Sequence, residues 1–464
     1  MTIIAKQQRG FYRNVFAIMI PIMLQNLITH TVTLADTFMV GMLGEQYLAA
    51  VTIAATPMFV LMILVFGVQS GMGILVSQYW GKGDTSVINR IIGVAIYCAL
   101  VVTIAGVVLM RSLPHQILGF VTNDNALVDL GVPYMRITCF AVMLNSISLV
   151  YLACHRSMEN PRLGAIVLGV SAVFNVFLNW ALIFGNLGFP ALGIQGAAIA
   201  TLGSRVVEVL IVIVHAFFNS RFRIKLSLFL RPGIIIFKDF LKYSLPVLLN
   251  EALWSMATMM YPVILGHMAG AETNLAAYNL AGNLERVFAV AMFACGGATA
   301  VIIGRELGAG RGDSVNGVAK SLIGLGFIIG ICSAALLLLA RLTIFEPLVY
   351  PLFDLSNDAA SKSSIMLTIL IIMLPLRTLG FTMGIGILRG GGDVKAFMII
   401  DLLTLYAVAL PLAFIFGLVL KLGVTIVYST LLLEEVTKCT LIFLRVRAKK
   451  WIKNITRESV GAGK

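Results

Sequence analysis

NVFAIMIPIMLQNLITHTVTLADTFMVGM, residues 14–42, reads as one membrane-crossing helix that carries a single acid, Asp36. No Lys, Arg, Asp or Glu interrupts Asn14 to Ala35, a run longer than the roughly 20 residues an α-helix needs to cross a bilayer. Within it Gln25, Thr29, Thr33 and Asp36 recur at spacings of four, four and three. At about 100° per residue they share one helix face. Facing lipid, that stripe would leave polar groups unpaired, so it should face other helices or a water-filled cavity. An ionised Asp near a helix centre costs on the order of 2.5–3.5 kcal/mol on an insertion scale. Asp36 is therefore read as functional, the competing reading being a structural hydrogen bond near the extracellular mouth.

The rest of the 464-residue chain has the same character, 59% hydrophobic and 12% charged with a mean hydropathy of +0.97. Such values lie far from those of soluble domains. About twelve apolar stretches recur between residues 15 and 446, which predicts an all-α integral membrane protein. The first stretch starts too late, runs too long and lacks the cleavage site of a removable signal peptide. The net charge of +13 does not point to nucleic acid, because it falls in the amino-terminal segment, the carboxy-terminal tail and alternate connections. Arg9, Arg13, Lys82, Arg90, Arg156, Arg223, Lys238, Arg305 and Arg445 mark one side, against only Arg111, Arg341, Lys362 and Lys421 on the other. Positive charge held inside is expected to place both termini of this multi-pass membrane protein in the cytoplasm. The tail around Lys449, Lys450 and Lys453 is expected to lie against anionic lipid.

Compared with itself at an offset of about 225–233 residues, the chain repeats. Pro21 to Asn26 aligns with Pro246 to Glu251, and Gln78-Tyr79-Trp80-Gly81-Lys82-Gly83 with Arg305-Glu306-Leu307-Gly308-Ala309-Gly310. An even number of helices in each copy makes these parallel repeats. The expected organisation is an amino-terminal six-helix lobe (1–218), a cytoplasmic linker (219–237) in which Arg221, Arg223 and Lys225 alternate with apolar residues, a carboxy-terminal six-helix lobe (238–446) and a basic cytoplasmic tail (447–464). Two lobes of this kind suit alternating access to a site between them.

Asp36-Thr37-Phe38-Met39-Val40-Gly41-Met42-Leu43-Gly44 and Ser77-Gln78-Tyr79-Trp80-Gly81-Lys82-Gly83-Asp84 resemble signatures of the multidrug and toxic compound extrusion (MATE) family, over nearly the whole chain. The resemblance implies a secondary active multidrug exporter. It would exchange protons or sodium for amphipathic, often cationic compounds, as a monomer in lipid, needing no cofactor. It further implies a cation or proton site at Asp36 with partners at Asn175, Asn179 and Thr201. Physically, the i and i+4 spacing of Asn175 and Asn179 puts both amides on one face, and their oxygens suit sodium. Asn179 stands where some members carry Asp, so H+ is expected ahead of Na+ at Asp36. Glu251, Ser255, Thr258 and Glu285 form a candidate second-lobe site, incomplete because Thr378 replaces the acid expected in the tenth helix. Buried pairing is expected for Arg205 with Glu208, one turn apart, whereas adjacent Glu285 and Arg286 need separate partners. Arg136, Arg377, Asp401, Glu434 and Glu435 receive no role.

The six cysteines have no C-x-x-C spacing and read as packing residues, and no zinc pattern or phosphate-binding loop occurs. With no nucleophile, base and orienting group evident, an enzyme is not expected. The alternatives are a lipid-linked precursor flippase of the same superfamily, which the deep arginines would suit, and a passive channel.

Overall fold

The computed structural model describes residues 3–219, 222–350 and 356–458; Arg221 of the linker and residues 459–464 of the basic tail lie outside them. Among the described residues the structure is all helix and connection, with no strand. The first half contains α1 (Ile3–Gly41), α2 (Glu45–Lys82), α3 (Thr85–Ser112), the short α4 (Pro114–Val121), α5 (Asn125–Ser157), α6 (Arg162–Phe184), α7 (Ile194–Phe218) and the five-residue α8 (Leu226–Leu230). The second contains α9 (Ile234–Gly266), α10 (Ala271–Gly308), α11 (Gly312–Pro347), α12 (Asn357–Arg389), α13 (Val394–Val419) and α14 (Val424–Arg447).

Ten of these helices, 23 to 38 residues long, are long and apolar enough to cross a membrane. Even the shortest reaches about 35 Å at 1.5 Å per residue, beyond a hydrocarbon core of about 30 Å. Helices α9 and α14 match them in length but carry charge, with Lys238, Asp239, Lys242 and Glu251 in one and Glu434, Glu435 and Lys438 in the other. With those two the described chain has six long helices in each half. The connections follow from local chemistry. Gly83 (φ 80°) closes α2 in the left-handed conformation that glycine adopts without strain, and Asp84 caps α3 by accepting from the Val87 amide at 3.1 Å. The Gly-Lys-Gly-Asp connection is thus a helix stop followed by a helix start.

Two compact units emerge. One comprises Met1–Met23 and Leu249–Thr456, the other Leu24–Leu248 and Arg457–Lys464. The first helix of each repeat therefore changes unit two residues after a proline, Pro21 in α1 and Pro246 in α9. In the first unit Val15, Ile18, Met19 and Ile22 pack with Ala294, Cys295, Ala298 and Val301 of α10. Toward the other end of the same unit Tyr261 and Ile264 of α9 join Leu367 and Leu370 of α12.

In the second unit Met58 and Leu61 of α2 pack with Val107, Met110 and Cys139. The entry of α9 lies close on α2, where Gly67 and Gly71 bring the backbones together. A Cβ on Gly71 would stand 2.4 Å from Ser244 Cα, and one on Gly67 2.8 Å from Leu248 Cα. This spacing of small residues lets helices approach in an apolar solvent, where close packing replaces the hydrophobic effect as the driving force.

The tail differs from the sequence expectation at Lys453. Its Nζ pairs with Asp393 at 2.5 Å, which Arg445 also reaches at 2.7 Å, while Trp451 beside it is fully buried. A buried carboxylate and an aromatic anchor thus hold Lys453, while Lys449 and Lys450 are exposed. Four cysteines, Cys139, Cys154, Cys295 and Cys439, are buried as packing residues, Cys98 is half-buried and Cys332 is exposed.

Candidate functional site: a polar cavity in the amino-terminal unit

A cavity of about 140 Å³ opens among α1, α2, α5, α6 and α7 within the unit formed by Leu24–Leu248. Thr29, Thr33 and Asp36 line it from α1, Asn145 from α5, Asn175 from α6 and Arg205 from α7, with Ile28, Val32, Met62 and Leu149 as apolar wall. The polar stripe of the first helix thus faces a cavity. Gln25, a turn earlier, is buried and donates its amide to the Pro161 carbonyl. Thr29 and Thr33 each donate to the carbonyl four residues back, at 3.0 Å. Those hydroxyl oxygens keep lone pairs for an occupant.

Asn179 Nδ2 donates to Asp36 Oδ1 and, at 3.2 Å, to Asn175 Oδ1. The i, i+4 amides therefore work in series, one orienting the other against the carboxylate. Asn179 is fully buried, yet its own Oδ1 has no hydrogen-bond partner. A buried acceptor without a donor costs about 1–3 kcal/mol. Amide nitrogen and oxygen nearly superpose, so turning the group over would present that oxygen to Asp36 in place of the N–H. Asn179 is built to serve either a carboxylate, as donor, or a carboxylic acid, as acceptor.

Behind Asp36 lies a second buried acid. Glu208, fully buried on α7, accepts from Arg205 Nη1 at 2.6 Å, Ser171 Oγ at 3.3 Å and Asn145 Nδ2 at 3.3 Å. Arg205, with a quarter of its side chain exposed, closes one wall of the cavity with its charge already paired. Among the described residues Asp36 has no such ion pair, and it is the acid lining this cavity.

Of the residues singled out from sequence, the structure brings Asp36, Asn175 and Asn179 together. Thr201 is placed differently: its carbonyl accepts from Ser204 Oγ at 2.7 Å, and it does not line the cavity. Sequence reasoning passed over Asn145 and Ser171, whose roles depend on Glu208 63 and 37 residues away.

In the carboxy-terminal unit the candidates are taken by guanidinium groups. Glu251 pairs with Arg389 at 2.8 Å, and Glu285 pairs with Arg377. Ser255 is buried, and its carbonyl accepts from Thr258 Oγ1 at 2.9 Å. Glu251 and Glu285 thus belong to two different ion pairs. Asp401, Glu434 and Glu435 instead surround Lys438, a buried lysine that sequence reasoning missed, although Glu434, Glu435 and Lys438 stand at i, i+1 and i+4 on one helix. That spacing was the available signal.

The chain matches the MatE family over residues 21–181 and 246–415, one stretch in each half. It is 25% identical to a probable multidrug resistance protein NorM of Thermotoga maritima over 446 residues, covering 95% of this chain and 94% of that one. An uncharacterized transporter, YisQ, of Bacillus subtilis is 23% identical over 425 residues, 90% of each chain. Solved structures with the same fold include an outward-facing multidrug resistance MATE transporter of the MOP superfamily (TM-score 0.83, 22% identity, 94% of this chain and 95% of that one). A MOP superfamily transporter from Pyrococcus furiosus is equally similar (TM-score 0.84, 20% identity, 94% and 95%).

Proposed function

Because the chain belongs to the MatE family of membrane transporters, we propose that it is a multidrug exporter driven by proton entry, and that Asp36 carries the proton. The observation that supports this reading is the carboxylate of Asp36 in a polar cavity, held by an amide able to serve both of its protonation states. Asn179 stands where some members of the family carry Asp, and one acid fewer leaves a weaker ligand set for sodium, which favours H+ over Na+. Asn175 positions Asn179, while Arg205 and Glu208 fix the wall behind them.

In this reading the substrate is an amphipathic, often cationic small molecule, exported from the cytoplasm of a bacterium across its inner membrane by alternating access. The amino-terminal six-helix lobe carries the coupling site, and both termini are cytoplasmic. Protonation of Asp36 removes the charge that holds the Asn179 N–H, and the local packing changes with it. An ion shifts such an equilibrium only by its differential affinity for the two states. A proton falling through 100 mV releases about 2.3 kcal/mol, enough for about a fifty-fold concentration ratio of a neutral substrate.

The test is dye efflux from proteoliposomes under separately imposed proton and sodium gradients, with wild type beside Asp36→Asn. Proton-driven efflux in wild type, lost in a correctly inserted Asp36→Asn, is expected. Equal efflux by both proteins removes Asp36 from the mechanism, sodium-driven efflux reverses the choice of ion, and flipping of a labelled lipid without dye efflux makes the protein a flippase.

A further inference from the structure

Helix α10 carries a polar face that has no partner within the described protein. Asn279, Asn283 and Arg286 follow one another at spacings of four and three, which puts them on one side of the helix, and all three are exposed. Gly282, on the same side, leaves open space: a Cβ there would have no atom within 4 Å. Among the described residues none of the three polar side chains has a hydrogen-bond or ion-pair partner. Glu285, the acid next to Arg286 in the chain, is taken by Arg377 of α12.

These residues lie deep in a spanning helix. In the 38-residue α10, Arg286 stands about 22 Å from Ala271 at the start and about 33 Å from Gly308 at the end, at 1.5 Å per residue. Turned to hydrocarbon, a guanidinium and two amides with nothing to bond are costly, so such groups face water or a ligand.

The internal repeat supplies a contrast. At the offset that aligns Leu48-Ala49-Ala50 of α2 with Leu275-Ala276-Ala277 of α10, the same three positions of α2 are Thr52, Thr56 and Phe59, also exposed. There each hydroxyl is satisfied inside its own helix, Thr52 Oγ1 donating to the Leu48 carbonyl at 2.8 Å and Thr56 Oγ1 to the Thr52 carbonyl at 3.2 Å. Self-satisfied threonines and an apolar ring suit lipid; an arginine and two asparagines do not. Of the two repeat-related faces, the one on α10 is built for a polar partner.

The donor set says what that partner carries. A guanidinium offers five N–H donors and no acceptor, in a planar fork that matches a carboxylate, and the two asparagines add amide N–H groups along the same line. Two turns beyond Arg286, about 10 Å along the axis, Phe293 is 44% exposed and meets Phe381 of α12 edge-on, with ring centroids 5.0 Å apart. A cation with amide donors at one end and an aromatic pair at the other complement an amphipathic anion.

We propose that this face of α10 binds an amphipathic carboxylate, with its anionic group on Arg286 and Asn283 and its apolar body along the helix toward Phe293. The site is separate from the Asp36 cavity and extends the substrates of the proposed exporter to anions. That the face lies on the export route rests on the proposed transport function; the binding itself does not.

Equilibrium binding to the full-length protein in detergent, followed by the environment-sensitive emission of the dansyl group, compares dansylglycine with dansylglycinamide, which lacks the carboxylate. Wild type is expected to bind dansylglycine the more tightly, a result that depends on no variant folding. Arg286→Gln should weaken dansylglycine about tenfold and leave the amide within about twofold. Arg286→Lys, which keeps the charge without the fork, should fall in between. The proposal is overturned by a wild type that does not prefer the carboxylate, by equal weakening of both ligands, or by a carboxylate affinity indifferent to Arg286→Gln. Benzoate should displace dansylglycine from wild type; displacement by short-chain phosphatidylglycerol alone would give Arg286 to a lipid headgroup and would also overturn it.

The two readings fail separately. If dansylglycine binding depends on Arg286 while wild-type proteoliposomes show no proton-driven dye efflux, the exporter reading fails and the site stands. If wild type exports a cationic dye on a proton gradient while binding ignores Arg286, the site fails alone.

Discussion

Asn179 gives one amide hydrogen to Asp36 and another to Asn175, while its own oxygen, fully buried, receives nothing. The amide is held by its donors alone, and it meets Asp36 as a donor to the carboxylate. Replacing Asn179 by Ala removes a hydrogen bond to a charged group, worth about 1.5–3 kcal/mol, and we expect proton-driven efflux to fall by about 10- to 100-fold. Asn175→Ala, which removes only the group that orients Asn179, should cost less. Initial rates of dye efflux in proteoliposomes matched for protein content rank the two, and the reverse order would show that Asn175 contacts the proton itself.

The pair behind the cavity makes a different prediction. Glu208 is fully buried with three donors, and among the described residues Arg205 is its only ionic partner. Glu208→Ala leaves the guanidinium unpaired at a cavity wall, and losing one partner of a buried pair typically costs about 3–5 kcal/mol. The unfolding temperature should drop by several degrees. The double variant Arg205→Met with Glu208→Leu removes both charges together and should recover most of that loss. Thermal unfolding in detergent, followed by tryptophan fluorescence, compares them; a double variant no more stable than Glu208→Ala would show that the pair is needed as a pair.

Much of this was readable from spacing on single helices. Asp36 stands out as one acid in an apolar run, Asn175 and Asn179 share a face by their i, i+4 separation, and Arg205 with Glu208 by i, i+3. What stayed hidden are partners contributed by another helix, since periodicity describes a face and not what lies opposite it. Asn145 reaches Glu208 across 63 residues, and Arg377 reaches Glu435 across 58. Thr201, assigned by resemblance, does not line the cavity. In the tail, counting charges cannot show that Lys453 pairs with Asp393.

Close helix approach gives a stability prediction independent of transport. A Cβ at Gly71 would meet the Ser244 backbone, with Cα at 2.4 Å, so a rotamer change at Ser244 does not relieve the clash. Overpacking of this kind costs about 1–3 kcal/mol, and Gly71→Ala should lower the unfolding temperature. Gly317 in α11 is exposed with nothing within 4 Å of its would-be Cβ. There the same substitution should stabilise, by up to about 1 kcal/mol, through helix propensity. Opposite signs are expected from the same thermal assay. A neutral Gly71→Ala would mean that α2 and α9 separate easily at this point.

The tail offers a contrast between two kinds of anchor. Trp451 is completely buried, stands against Gly391 and donates its indole N–H to the Val446 carbonyl at 3.1 Å. Arg457 grips Asp239 through two hydrogen bonds of 2.6 and 2.8 Å, but half of its side chain is in solvent. Packing of a buried indole does not depend on salt, whereas an exposed ion pair is screened by it. Trp451→Ala should therefore cost about 3–5 kcal/mol, as large-to-small changes at buried aromatics do, at every ionic strength. Arg457→Ala should leave the unfolding temperature almost unchanged, with any difference from wild type disappearing in high salt. Unfolding of both variants at low and high potassium chloride tests the contrast. A large, salt-sensitive loss in Arg457→Ala would mean that the ion pair, and not the indole, fastens the end of the chain.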